Sequence, residues 1–331
     1  MKAIVQTKYG PPEVLQFMEV EKPTPNDNQV LVKVHAASVN ALDWRPFTMT
    51  PIFVRLMGGL LKPKDPSLGV DIAGRVEAIG SNVKQFQPGD EVFGVAPGAF
   101  AEYALAAETK LALKPANLSF EAAAAVPVAA CTALQGLRDR GQIQPGQKVV
   151  INGAGGGVGT FAVQIAKSFG AEVTAVCSRW NLDMARSIGA DHVIDYTRED
   201  FTQNGQRYDL IIAANGYHPI LDYRRALSPG GICVVLGGSI AQIFQGMLLG
   251  PLLSRIGSQK ISVMLSHSNQ KHLVFLKELF EAGKIVPIID RCYPLSEVAK
   301  AIRYLIEGHA GGKVVITVER RQTLVNLEKY S

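Results

Sequence analysis

The stretch KVVINGAGGGVGTFAVQIAKSFG, residues 148–170, decides the fold. An apolar β-branched run over 149–151 leads into a glycine-rich turn, and an amphipathic helix opens near Val158 and closes at Gly170. A strand, a tight turn and a helix N-terminus in that order bring free backbone N–H groups and the positive end of a helix dipole to one point, where a pyrophosphate fits. The literal G-x-G-x-x-G pattern is not met, because Ala154 takes the place of its first glycine. Glycines recur instead at 153, 156 and 159. Such a loop also serves as a plain turn, so its neighbours carry the argument.

Those neighbours repeat one rhythm. Strand-like segments follow at 171–178, 192–195, 208–214, 231–238 and 260–265, with a helical segment at 182–188. Short, nearly continuous apolar strands alternating with helix-period segments indicate a parallel sheet covered on both faces. The economical reading is an α/β, doubly wound dinucleotide-binding (Rossmann) sheet.

At 331 residues there is room for two domains and a substantial core. The 47% apolar and 19% charged content is that of an ordinary soluble enzyme rather than a disordered or membrane chain. The formal net charge of +5 is mild and no basic run is interleaved with aromatics, so nucleic acid is not implied. Four scattered cysteines (Cys131, Cys177, Cys233, Cys292) in apolar settings read as buried thiols of a reducing compartment, neither a disulfide framework nor a metal cluster. The start MKAIVQTKYG reads as a strand, not a signal peptide, and the apolar stretch 240–253 is too short to span a bilayer. A cytoplasmic protein without a stable membrane span is expected.

The first ~125 residues differ in texture. Strand-like segments at 2–8, 30–38, 71–79, 91–95 and 99–106 are punctuated by Pro/Gly turns, which suggests a compact β-rich barrel. Residues 119–137 read as helical, with Pro127 placed to break or kink the helix. Helical periodicity returns at 272–284 and 295–306, before a last strand at 313–318. Pattern rules leave open whether these final elements extend the large sheet or return to the β-rich part.

The ordered signatures AASVNALDW (36–44), LGVDIAGRVEAIG (68–80), FQPGDEVFG (86–94), AAAVPVAACTALQGL (123–137), GAGGGVG (153–159), ADHVIDY (190–196) and GGKVVI (311–316) span essentially the whole chain. Together they resemble the medium-chain dehydrogenase/reductase superfamily, in particular its zinc-independent quinone oxidoreductase family. The resemblance implies a β-rich GroES-like catalytic domain from residues 1–125 and 266–331, to which the C-terminal segment returns, around a Rossmann domain at 126–265. It also makes the absences readable. Zinc-bearing relatives place a cysteine where Asn40 stands and a His–Glu pair where Val70 and Asp71 stand. An amide, an apolar side chain and one carboxylate cannot hold a catalytic zinc, and none of the six histidines shows paired spacing, so no metal is expected.

Without a Lewis acid, the chemistry implied is hydride donation to an acceptor that is already electrophilic, a quinone or an α,β-unsaturated carbonyl. The resemblance puts Asn40 and Asp43 in the catalytic site, with Asn40 also against the cofactor. Propensity alone reads Asn40 as a turn residue closing the strand before it. No proton donor stands out. The second strand of the large sheet ends Cys177-Ser178-Arg179 with no acidic residue, which favours a 2′-phosphate and hence NADPH. Tyr196 matches a family position beside that phosphate. Thr132, Gly155, Gly156, Gly157, Val158, Asn215, Gly237, His309, Gly311 and Lys313 transfer as further cofactor-binding positions, although Lys313 also fits the plain first residue of a strand.

The apolar stretch 46–69, with a helical sub-pattern at 52–61, and the cluster at 240–253 suggest a lipophilic small-molecule substrate. A homodimer through the sixth strand's edge is the family expectation. Two other readings stay open: an enoyl-thioester reductase, and a non-catalytic NADPH-binding scaffold protein.

Overall fold

A computed structural model describes residues 1–44, 63–216, 218–238, 240–308 and 310–318. The strands are β1 (Lys2–Gln6), β2 (Leu15–Glu19), β3 (Gln29–Val39), β4 (Asp71–Ile79), β5 (Glu91–Val95), β6 (Tyr103–Ala107), β7 (Leu111–Leu113), β8 (Lys148–Asn152), β9 (Glu172–Cys177), β10 (His192–Asp195), β11 (Tyr208–Ala213), β12 (Leu227–Val235), β13 (Lys260–Val263), β14 (Ile289–Pro294) and β15 (Lys313–Thr317). The helices are α1 (Phe120–Ala124), α2 (Pro127–Leu134), α3 (Gly157–Ser168), α4 (Leu182–Ser187), α5 (Ile220–Ala226), α6 (Ile240–Ile256), α7 (Gln270–Glu281) and α8 (Val298–Ile306).

Continuous β-branched runs with no polar alternation need cover on both faces, and β8 to β13 receive it. They pair in parallel in the order β10-β9-β8-β11-β12-β13. Val149, Ile151, Val173, Leu210 and Ile212 point into a core shared with Phe161 of α3 and Phe280 of α7. Val150, Ile211 and Val235 point into a second core with Tyr223 of α5. The doubly wound parallel sheet expected from the sequence is the one present.

The β-rich part is a mostly antiparallel sheet in the order β14-β15-β3-β4-β5-β7, with β6 also on β3. The last described strand returns to it, because β15 runs antiparallel to β3 from Val314↔Val39 to Thr317↔Ala36. Helix α7 behaves differently. Its Leu273, Leu276 and Phe280 are buried in the core beneath the parallel sheet.

The helix expected over 119–137 is broken at Pro127 as expected, into two helices with Pro127 at the first position of α2, where its missing N–H costs nothing. Ser119 caps α1 by accepting from the Ala122 N–H at 3.1 Å. Other elements depart from the sequence reading. Strands β2 and β14 were not anticipated because both are largely solvent-facing and lack an apolar alternation. Cys292 lies exposed on β14, so the expectation of four buried thiols holds only for Cys131, Cys177 and Cys233. The apolar stretch at 240–253 forms α6. Phe244, Met247 and Leu248 of that helix are exposed, while Gly246 and Gly250 lie against β13. The helical sub-pattern at 52–61 lies outside the described residues. No helix among the described residues is long and apolar enough to cross a membrane.

Candidate active site

The parallel sheet and the β-rich sheet meet at the carboxyl end of β8. There the chain turns through Gly153, at φ +88°, into α3. A Cβ at Gly153 would lie 2.5 Å from the backbone oxygen of Asn215, and one at Gly159 would lie 2.1 Å from that of Gly153. The two glycines let the turn fold tightly over the sheet. No side chain caps α3, whose N-cap is Gly156, so its first N–H groups remain available to an anion. Gly156 pairs with Gly312 from the β-rich sheet in an isolated parallel bridge. A Cβ at Gly157 would come within 2.6 Å of the Lys313 side chain. Asn181, from the loop after β9, fills the space where Cβ atoms on Gly155 and Gly311 would sit, at 2.4 and 2.7 Å.

Beneath this junction lies a buried polar cluster. Asp71, at the start of β4, is wholly inaccessible to solvent. Its Oδ2 accepts from the Ser38 hydroxyl and from Asn40 Nδ2, each at 2.8 Å, and lies 3.4 Å from Lys313 Nζ. Its Oδ1 accepts from the Val128 N–H at 2.9 Å. Lys313 donates to Asn40 Oδ1 at 2.6 Å and to the Val39 carbonyl at 3.4 Å. Asn40 Nδ2 also reaches the Ser38 carbonyl at 3.4 Å. Both ends of the Asn40 amide are thus engaged within the protein.

Asn40 closes β3 and opens a single 3-10 turn, Ala41–Asp43. Its N–H donates to Asp43 Oδ2 at 2.6 Å, and the Asp43 N–H returns to the Asn40 carbonyl at 3.1 Å. Burial pushes the Asp43 carboxyl up to about 8; the Asn40 hydrogen bond opposes that rise, and the nearby Asp71 charge adds to it. Burial lowers the Lys313 ammonium, against the pull of Asp71 and Asp43. Asp43 Oδ1 finds no partner among the described residues and borders a cavity of about 10 Å³ beside Gln6 and Leu68. Burial thus favours the neutral form of Asp43, and Asp71 and Lys313 stand as the close carboxylate–ammonium pair of the cluster.

The remaining expected positions are spread over several elements. Thr132, in α2, is 7% exposed; it donates to the Val128 carbonyl and shares a 2.6 Å hydrogen bond with the Ser266 hydroxyl. Asn215 and Gly237 follow the carboxyl ends of β11 and β12, and the N–H of Gly237 bonds back to Ala213 at 3.3 Å. Val158 lies in the first turn of α3. Ser178 follows β9 and accepts from Asn181 Nδ2 at 3.3 Å. Arg179 is exposed beside the Trp180 ring, and Tyr196, after β10, is 60% exposed. His309 lies outside the described residues. Sequence reasoning missed Ser38, Ser266 and Asn181, and met Asp71 only as an inadequate metal ligand. A charged residue inside the apolar run LGVDIAG was the available signal for Asp71; Asn181 had none.

Lys313→Met removes the cluster's cation and leaves buried carboxylate without a counter-charge. We expect a loss of roughly 3–5 kcal/mol, measured by urea unfolding at neutral pH. Asp43 gives a pH signature. Its folded pKa of about 8 stands above the ordinary 3.8, so its contribution to stability is complete below pH ~4 and is lost as pH rises through ~8. Asp43→Asn should flatten the decline of Tm across that window in calorimetric scans; an unchanged slope refutes the assignment.

Two family models match the chain: one described as an alcohol dehydrogenase GroES-like domain over residues 26–116, the other as a zinc-binding dehydrogenase over 188–316. Among the described residues, no group of three or more His, Cys, Asp or Glu is placed to hold a metal ion. The chain is 32% identical to a chloroplast envelope quinone oxidoreductase homolog of Arabidopsis thaliana, across 96% of this chain and 98% of that protein. It is 34% identical to an NADPH-dependent alkenal/one oxidoreductase, chloroplastic, of the same plant, across 96% and 79%. The solved structure of the quinone oxidoreductase from Coxiella burnetii superposes with a TM-score of 0.85 at 32% identity, covering 96% of this chain and 99% of that one. With the fold, the glycine turn and relatives matched across 96% of its length, the chain belongs to the quinone oxidoreductase family of the medium-chain dehydrogenase/reductase superfamily.

Proposed function

We propose that this enzyme reduces a quinone or an α,β-unsaturated carbonyl with NADPH, without zinc. The observation that carries the reading is the meeting of an uncapped α3 N-terminus with the Lys313–Asn40–Asp71 cluster in one crevice. A bound reduced nicotinamide supplies the hydride. The protein supplies anion-binding N–H groups at Gly157 and Val158, a crevice walled by glycines, and a floor whose charges are already balanced. The 3.4 Å contact between Asn40 and the Ser38 carbonyl is the weakest bond its amide makes, so it is the one that exchanges for a ligand. Asp43 holds the backbone of Asn40 in place. Against zinc stands the state of Asp71, both of whose oxygens already accept from protein donors.

Arg179 supports NADPH over NADH. It is exposed, follows Ser178 at the end of β9, and has no carboxylate ion pair among the described residues. Tyr196 stands on the next loop. The division into residues 1–125 with 266–331 as catalytic domain and 126–265 as cofactor domain belongs to the same proposal, except that α7, within 266–331, packs beneath the parallel sheet and goes with the cofactor half. So does a lipophilic acceptor, supported by the exposed Phe244, Met247 and Leu248. A homodimer is supported by β13 at the edge of the parallel sheet, with Leu265 87% exposed just beyond it. Three buried thiols suit a cytoplasmic setting.

Stopped-flow oxidation of NADPH against quinones and enones tests the reading, with chelator-treated protein in parallel. Acceptor-dependent decay that survives chelation is expected; NADPH binding without decay would instead support a scaffold. Arg179→Ala should lower kcat/KM for NADPH by about tenfold to a hundredfold, the weight of a charge-assisted hydrogen bond, and leave the NADH value nearly unchanged.

A further inference from the structure

The amino-terminal edge of the parallel sheet, opposite the crevice, carries a groove of about 430 Å³ that hydride transfer does not use. Arg207 immediately precedes β11, Arg224 and Arg225 form the last turn of α5 before β12, and Gln259 immediately precedes β13. The glycine turn lies at the other ends of these strands, about 20 Å away at ~3.3 Å per residue. Three guanidinium groups therefore line one groove at a distance from the crevice. Like charges gathered in this way repel one another unless an anion offsets them.

Two of the guanidiniums are held through Nε. Arg224 Nε donates to Gln259 Oε1 at 3.3 Å, while Gln259 Nε2 donates to the carbonyls of Arg224 and Leu227 at 3.0 and 2.9 Å. Gly257 makes room for that guanidinium, since a Cβ there would lie 2.9 Å from Arg224 Nη2. Arg225 Nε donates to the Thr202 carbonyl at 3.2 Å. Its Nη2 pairs with Asp222 at 2.9 Å. Arg207 makes no hydrogen bond or ion pair among the described residues. Three guanidiniums against one carboxylate leave two uncompensated positive charges. Exposed Leu221 and Pro229 add an apolar wall.

Two surplus charges match a phosphate monoester, which carries about −1.5 to −2 at neutral pH and accepts from paired Arg donors. The volume lies within the usual ~300–1,000 Å³ of small-molecule sites. We propose that this groove is a second ligand site, for a small phosphate monoester with an apolar or planar body, separate from the crevice that takes the cofactor. The site stands whether or not the nicotinamide reading holds.

The test is calorimetric titration of phenyl phosphate into the full chain, with and without saturating NADH, which shares the nicotinamide and pyrophosphate but carries no phosphate monoester. Saturable one-to-one binding that NADH does not displace is expected. Arg207→Ala, a change at an exposed and unbonded side chain, should weaken it several-fold, and Arg207→Ala with Arg224→Ala by more than about tenfold. Phenol should not bind, and inorganic phosphate should bind more weakly. Displacement by NADH, equal affinity in the variants whose Tm matches the parent, or no saturation would each overturn the proposal. Failure of NADH and NADPH alike to bind would count against the cofactor reading alone.

Discussion

A carboxylate with no access to water must find all its partners inside the protein, and Asp71 does so by drawing four elements together. Asp71 itself starts β4, Ser38 and the adjoining Asn40 come from the end of β3, Lys313 from β15 and the Val128 N–H from α2. An unpaired charge at that depth costs several kcal/mol, so none of these elements is free to drift from the carboxylate. The β-rich sheet, the chain's C-terminal strand and the helix leading into the cofactor half are therefore registered to a single pair of oxygens. Asp43, a few residues away, meets the same lack of solvent differently. Burial raises its carboxyl pKa toward the neutral form, which spares the cluster a negative charge beyond the one paired with Lys313.

The packing above the cluster is organised by side chains that are missing. Lys313 passes close under Gly157, the turn at Gly153 lies against Asn215, and Gly159 sits on Gly153. Any Cβ at these places would fall well inside van der Waals distance of backbone or stem atoms. Close approach lets the start of α3 look into the crevice with its N–H groups exposed, and it lets the buried lysine belong to both halves of the protein at once.

Much of this architecture was legible in the chain. The run from Lys148 to Gly170 announced a strand, a turn and a helix because β-branched residues, glycines and a 3.6-residue period follow one another without conflict. The five later strands were legible for the same reason, since burial on both faces leaves an unbroken apolar signature. Strands β2 and β14 were hidden because exposed edge strands need no such pattern. The interior of the site was harder to see. Asn40, Asp43 and Lys313 were singled out, but the bonding of Asn40 and Lys313 to each other and to Asp71 depends on a β3–β4–β15 pairing that brings Lys313 to residues more than two hundred positions away. Local propensity carries no trace of it. Reading Asp71 as a failed metal ligand also concealed its part as the acceptor at the cluster's centre.

Asn181 has a consequence that reaches past the single molecule. Its amide is wedged between Gly155 and Gly311, which belong to opposite halves of the protein, and it is itself on a third loop. A bulkier residue at any of the three places has to be answered by a smaller one at another. Among descendants of this chain, these three positions should covary, and the width of the cleft is a trait inherited by all three together.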